Sequence, residues 1–165
     1  MNAPIEHPVR AEVTPAEYNQ LVAAARLRDI RLVKSEFAID PEAITQTDWK
    51  MTSDCDIESV EFDAEGEIVI AWVTGEALCK KGKKRLVMAR CRYLVVYDVV
   101  GSPAQEAVNI FAKRVARFNA YPYFRAHFAE VCMQAGLTLP PLPIIKEAKI
   151  IPPVPKLTAE PKQIE

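Results

Sequence analysis

The residues of this chain best equipped for chemistry are four cysteines, Cys55, Cys79, Cys91 and Cys132, and two histidines, His7 and His127. No two cysteines form a CxxC pair, and two histidines supply a zinc site poorly. The thiols therefore read as reduced side chains. His127 is followed by Glu130 and Cys132, a set that suggests acid–base or thiol chemistry. That chemistry needs a nucleophile held against an oriented base, and no strained glycine turn, triad partner or metal spacing accompanies these residues. The expectation is a histidine on a helix surface, with no metal, no cofactor and no enzymatic activity. The basic run Lys80, Lys81, Lys83, Lys84 and Arg85 has the charge to hold a phosphate backbone, but neither flanking strand adds an aromatic stacking platform. It reads as a solvated hairpin tip balanced by the acidic stretch 58–67, and no nucleic-acid partner is expected.

Composition narrows the classes further. The chain has 165 residues, half of them hydrophobic, enough for one sizeable core and one domain. Its formal net charge of -1 argues against a global attraction to polyanions or anionic membranes. The N-terminus MNAPIEHPVRAEV lacks a basic start followed by an apolar run, and no stretch of about 18 apolar residues occurs. A cytoplasmic, soluble protein without membrane insertion is expected.

The elements follow from periodicity and punctuation. Thr14-Pro15-Ala16-Glu17 has the form of a capping box, and Tyr18, Leu21, Val22 and Ala25 make an apolar stripe, predicting a helix over 15–27. RDIRLVKSEFAID loses that period and gains β-branched and aromatic residues, which predicts a first strand ended by Pro41. Residues 41–55 show no clear period and read as a long crossing loop carrying Trp49 and Met51. Two long strand segments follow, IESVEFDAEGEIVIAWVTGEAL and KKRLVMARCRYLVVYDVV, joined by a hairpin turn on Gly82; an antiparallel meander is the simplest topology. In 87–97 one face carries Val87, Ala89, Cys91, Tyr93, Val95 and Tyr97, and the other mixes Met88, Leu94 and Val96 with Arg90 and Arg92. A purely wet face would be polar, so another surface is expected to cover part of it.

Ser102, Pro103 and Gln105 predict a second helix start with Ser102 as N-cap. Val108, Phe111, Val115 and Phe118 recur as a narrow seam suited to helix-on-helix packing between subunits. Pro122 reads as a restart after a stop near Asn119, because proline suits a first helical turn and disrupts an interior one. Gly136 ends this last helix, and more than half of the thirteen prolines fall between 140 and 161, so the tail is expected to be extended. Apolar residues in exposed-looking places, Trp49 and Met51 in the loop and Leu137, Leu142, Ile144 and Ile150 in the tail, fit either packing back on the protein or a surface for apolar segments of others.

The stretch AYPYFRAHFAEVCMQAGLTLPPLPI resembles the signature of the SecB family of protein-export chaperones, a Pro-Tyr helix ending in a Gly turn and a Pro-Leu stretch. RDIRLVKSEFAID followed by Asp48-Trp49 resembles that family's first strand and crossover loop, and the hairpin and terminal helices come in the family's order over about 28–146. The resemblance implies an α+β fold, a four-stranded antiparallel sheet backed by C-terminal helices, here with an extra N-terminal helix. The organisation would be an N-terminal extension and helix (1–27), a SecB-like domain (28–146) and a proline-rich tail (147–165). It also implies a homotetrameric, ATP-independent holdase that binds unfolded polypeptides or preproteins. Phe37, Trp49, Met51, Trp72, Tyr93, Phe124 and Phe128 would contact clients; Val108, Phe111, Val115 and Phe118 would contact other subunits.

In the export chaperone, acidic residues on the exposed sheet face meet the translocase motor. Glu36 and Asp40 fit two of those positions, but Ala89, beside Arg90 and Arg92, matches the third. Docking to the motor is where this sequence departs from the family. The N-terminal helix and the LRDIRLVKSE junction are more similar to SecB-like chaperones that accompany toxin–antitoxin pairs, which implies an antitoxin as partner. The other class weighed is a small-ligand or lipid carrier, which would need a deep cavity between sheet and helices.

Overall fold

The computed structural model describes residues 13–45 and 48–145; the expectations for His7, Ile150 and the tail 147–165 lie outside them. The helix α1 (Pro15–Ala24) starts as its sequence dictates. The Thr14 hydroxyl accepts the Glu17 amide at 3.3 Å, and the Glu17 carboxylate accepts the Thr14 amide at 2.8 Å, which also holds the Glu17 carboxyl below its ordinary range. It stops short of 27 because strand pairing captures the chain first: Arg26 already faces Asp98.

Four strands, β1 (Arg26–Ile39), β2 (Lys50–Asp63), β3 (Ile68–Lys81) and β4 (Lys84–Asp98), form one antiparallel sheet in the order β1-β4-β3-β2. The simple meander holds only for β2 to β4. β1 takes the far edge beside β4, so the connection to β2 crosses the whole sheet, a Greek-key arrangement. That crossing is shorter than 41–55. Pro41–Ile44 forms one 3₁₀ turn, and β2 starts at Lys50, so Met51 is a strand residue opposite Cys79 and not a loop residue. The alternation was hidden because Met51, Ser53, Cys55 and Ile57 turn one way and Thr52, Asp54 and Asp56 the other, and Ser and Cys are weak markers of an inner face.

The first long strand segment folds in two at 64–67, where the Asp63 carboxylate accepts the Glu65 and Gly66 amides. Gly82 takes the left-handed conformation (φ 58°) that the β3–β4 turn requires.

The helical layer packs on β2, β3 and β4. It begins at Gln105, two residues beyond the expected proline-led start: Ala104 is the cap residue, its backbone extended, and Ser102 lies too early to reach the first turn. α2 (Gln105–Phe111) then passes through a π turn (Ala112–Ala116) directly into α3 (Arg117–Gln134). No break occurs at 119–121. Pro122 is inside α3, where losing one amide donor costs about 3 kcal/mol. Burial of Ala120, Tyr121, Phe124 and Phe128 on the same helix offsets that cost. The irregularity falls upstream, in the wide turn at 112–116.

α3 ends in a Schellman motif. Gly136 is left-handed (φ 72°), its amide reaches the Met133 carbonyl at 3.0 Å, and the Leu137 amide reaches the Cys132 carbonyl at 2.9 Å. The segment 137–145 then runs back over the body: Leu142 is 1% exposed, and the Tyr121 hydroxyl donates to the Pro143 carbonyl. The core lies between sheet and helix, where the Phe124 ring rests on Gly75; a Cβ there would stand 2.6 Å from Phe124 Cγ. Phe111 meets Tyr97 edge-on at 4.9 Å, and the Tyr97 hydroxyl accepts a 2.8 Å bond from the Asn119 side-chain amide.

Candidate functional site

Where the crossing connection meets the end of α3, the surface opens into a groove of about 650 Å³ lined by Ala43, Ile44, Trp49, Met51, Gly136, Leu137, Thr138 and Pro140. Each wall is anchored. On one side Asp40 caps the 3₁₀ turn, accepting the Glu42 amide at 3.0 Å, and its own amide bonds the Leu86 carbonyl at 2.8 Å. Lys84 clamps this turn, pairing with Asp40 at 2.9 Å and with Glu42. The Lys84 bond is the main cause that holds the Asp40 carboxyl below its ordinary range. On the other side the Schellman turn fixes 136–138. Met51 is held in the lining by its pairing with Cys79. The result is an open groove whose lining side chains are mostly apolar, Trp49, Met51 and Pro140 among them; Ile44 is 62% exposed within it.

Of the residues expected to contact clients, the structure brings only Trp49 and Met51 to this groove. Phe37 is partly buried against the core from β1. Tyr93, Phe124 and Phe128 are core residues, buried between sheet and helix. Trp72 stands on the opposite face, paired with Leu94, and the Arg92 guanidinium lies 4.1 Å over its ring. Ile44, Ala43 and Pro140 were missed. An apolar Ala-Ile pair directly after Pro41 in a polar connection was the signal for the first two.

The seam divides in the same way. Val108 and Phe111 are buried in the chain's own core, because they face the sheet; Val115 and Phe118 remain partly exposed. On the open sheet face, Arg92 grips Glu58 through two bonds of 2.8 and 2.9 Å. Glu36 pairs with Lys34 at 2.5 Å and Asp40 belongs to the Lys84 clamp, so both acids already hold internal partners. Ala89 is not on that face: it is buried opposite Phe37 and Ala77, while the neighbouring Arg90 stands between Glu36 and Glu76 on the adjacent strands.

The expected helix-surface histidine ties two elements together. The His127 Nε2 lies 2.8 Å from the Ser35 hydroxyl, linking α3 to β1. The four thiols are buried, and burial pushes Cys55 up to about 12 and Cys132 up to about 11, far from the range of a reactive thiolate. Among the described residues no group of His, Cys, Asp and Glu could hold a metal ion, and no helix is long and apolar enough to cross a membrane.

This architecture is a SecB-like fold: a four-stranded antiparallel sheet with the helical layer on one face and an added N-terminal helix. The chain is similar to the SecB-like chaperone Rv1957 of Mycobacterium tuberculosis, solved in complex with a ChAD peptide from the Rv1956 HigA1 antitoxin. The two share 21% identity at a TM-score of 0.65, over 81% of this chain and 99% of that one. A Streptococcus agalactiae protein of unknown function covers 74% of this chain at 7% identity and a TM-score of 0.32, too low to carry an argument. No protein-family model and no curated protein matches the chain.

Proposed function

We propose that this chain is a holdase chaperone that binds apolar segments of unfolded or newly made polypeptides without ATP, in the groove between Trp49 and Pro140. The observation that carries the proposal is the groove itself: lined mainly by apolar side chains, Ile44, Trp49, Met51 and Pro140 among them, open to solvent, anchored on both sides and set in a SecB-like fold. A volume of about 650 Å³ lies within the roughly 300–1,000 Å³ typical of ligand sites, enough for a few side chains of an extended segment. Met51 and Trp49 supply adaptable, sequence-tolerant contacts, each worth roughly 1.5–3 kcal/mol of burial at most. The favoured client is an antitoxin's apolar extension, by analogy with the complex of the Mycobacterium tuberculosis protein. The working form is a cytoplasmic homotetramer, with the partly exposed Val115 and Phe118 at subunit contacts.

The carrier reading loses its support, because Phe111, Phe124, Phe128 and Tyr97 fill the space between sheet and helix that a lipid would need. The test is light scattering of an aggregation-prone unfolded protein diluted with and without this chain, with its mass measured in parallel. Suppression near one tetramer per client without nucleotide is expected; no suppression at roughly tenfold excess, where even micromolar binding would register, sinks the proposal. Copurification of one antitoxin, as opposed to many preproteins, separates the dedicated role from general export.

A further inference from the structure

The chain's own sequence contains a ligand of the type this groove suits. Pro140-Pro141-Leu142-Pro143 recurs downstream as Pro152-Pro153-Val154-Pro155. The first copy shows how such a motif binds. Proline removes amide donors and favours an extended backbone whose carbonyls stay free. Here the motif presents one apolar side chain, Leu142, which is buried, and one carbonyl, that of Pro143, which accepts the Tyr121 hydroxyl. Its three prolines stay on the outside. That seat belongs to the first copy. The second copy has Val154 in place of Leu142 and adds Ile150 and Ile151 ahead of it.

Proline-rich segments dock in grooves lined by aromatic side chains, and the groove at Trp49 offers that wall together with Met51 and Ile44. Pro140, in the same lining, lies just upstream of Ile145, so the described chain ends close to the groove in sequence. The link from Ile145 to Pro152 extends to about 25 Å at most, which allows a return to the groove. A tether of this length corresponds to an effective concentration of order millimolar, enough to make a weak contact persist.

We infer that residues 150–155 occupy the Trp49 groove of their own chain as a built-in competitor, which a client must displace. The inference rests on the proposed function for its client half only. The test uses the full-length chain with Trp72→Phe, leaving Trp49 as the one tryptophan, and compares it with the same protein carrying Ile151→Asp and Val154→Asp. Expected are a red-shifted Trp49 emission in the double variant, recovery when a synthetic peptide of residues 149–157 is added, and about tenfold tighter binding of an apolar client peptide. Unchanged Trp49 emission overturns the inference, as does an emission shift that depends on protein concentration, which would place the segment on a neighbouring copy. A concentration-independent shift without client binding by either protein supports the docking and overturns the proposed function.

Discussion

The two faces of the sheet are built from the same strands and differ in what their alternation meets. On the covered face Val69, Val73, Ala77, Cys91, Val95 and Tyr97 are sealed by the helical layer, and Gly75 lets the Phe124 ring reach the backbone. On the open face Ile70, Trp72, Leu94 and Val96 share the surface with Arg90, Arg92, Glu58 and Glu76, and charge pairs take the place of packing. The lesson is that apolar alternation alone does not mark a core here. The apolar residues of the second face stay partly exposed, beside cation–π and ion-pair contacts. The expectation that another surface covers this face is not met within the described chain.

If stability resides in the covered face, Phe124→Ala should cost about 3–5 kcal/mol and Gly75→Val about 1–3 kcal/mol or more, read by urea unfolding. Losses under about 1 kcal/mol in both would show that the helix–sheet contact is not the core. The groove at the junction of the layers should separate function from fold. Ile44→Asp should leave stability within about 0.5 kcal/mol, because the side chain is largely exposed, and weaken an apolar client peptide about tenfold. On the open face, Glu58→Gln should cost less than about 1 kcal/mol, fading further in high salt, since the Arg92 pair is exposed. A larger loss would make the open face structural after all.

The smallest effect is in acid. Asp40 and Glu36 have carboxyls held below their ordinary values of 3.8 and 4.5 by Lys84 and Lys34. A lowered folded-state value means that their stabilisation is complete above the unfolded value and is lost as pH falls through the folded one. Trp49 emission, which reads the groove that the Asp40 clamp supports, should therefore be flat from pH 7 to about 5 and change only below about 4. A transition already complete above pH 5 would show that the Asp40 clamp is not what holds the groove.

Much of this was legible from the chain. Thr14 to Glu17 capped its helix as its spacing indicated, Gly82 and Gly136 turned where they stood, and β4 buried the face its alternation marked. These are local effects, set by a few neighbouring residues and the backbone each permits. Other features depended on partners distant in sequence. Pro122 stayed within a helix because packing on the sheet stabilises the residues around it. Phe124, Phe128 and Tyr93 went inward, Trp72 outward; strand register decides which side of the sheet Tyr93 and Trp72 face, and the docked helix brings the two phenylalanines against it. The groove itself joins Ile44, Met51 and Pro140, residues from three separate segments. The sequence determined which residues could be apolar contacts; only the tertiary packing, which buries whichever of them gains most, decided which stayed exposed.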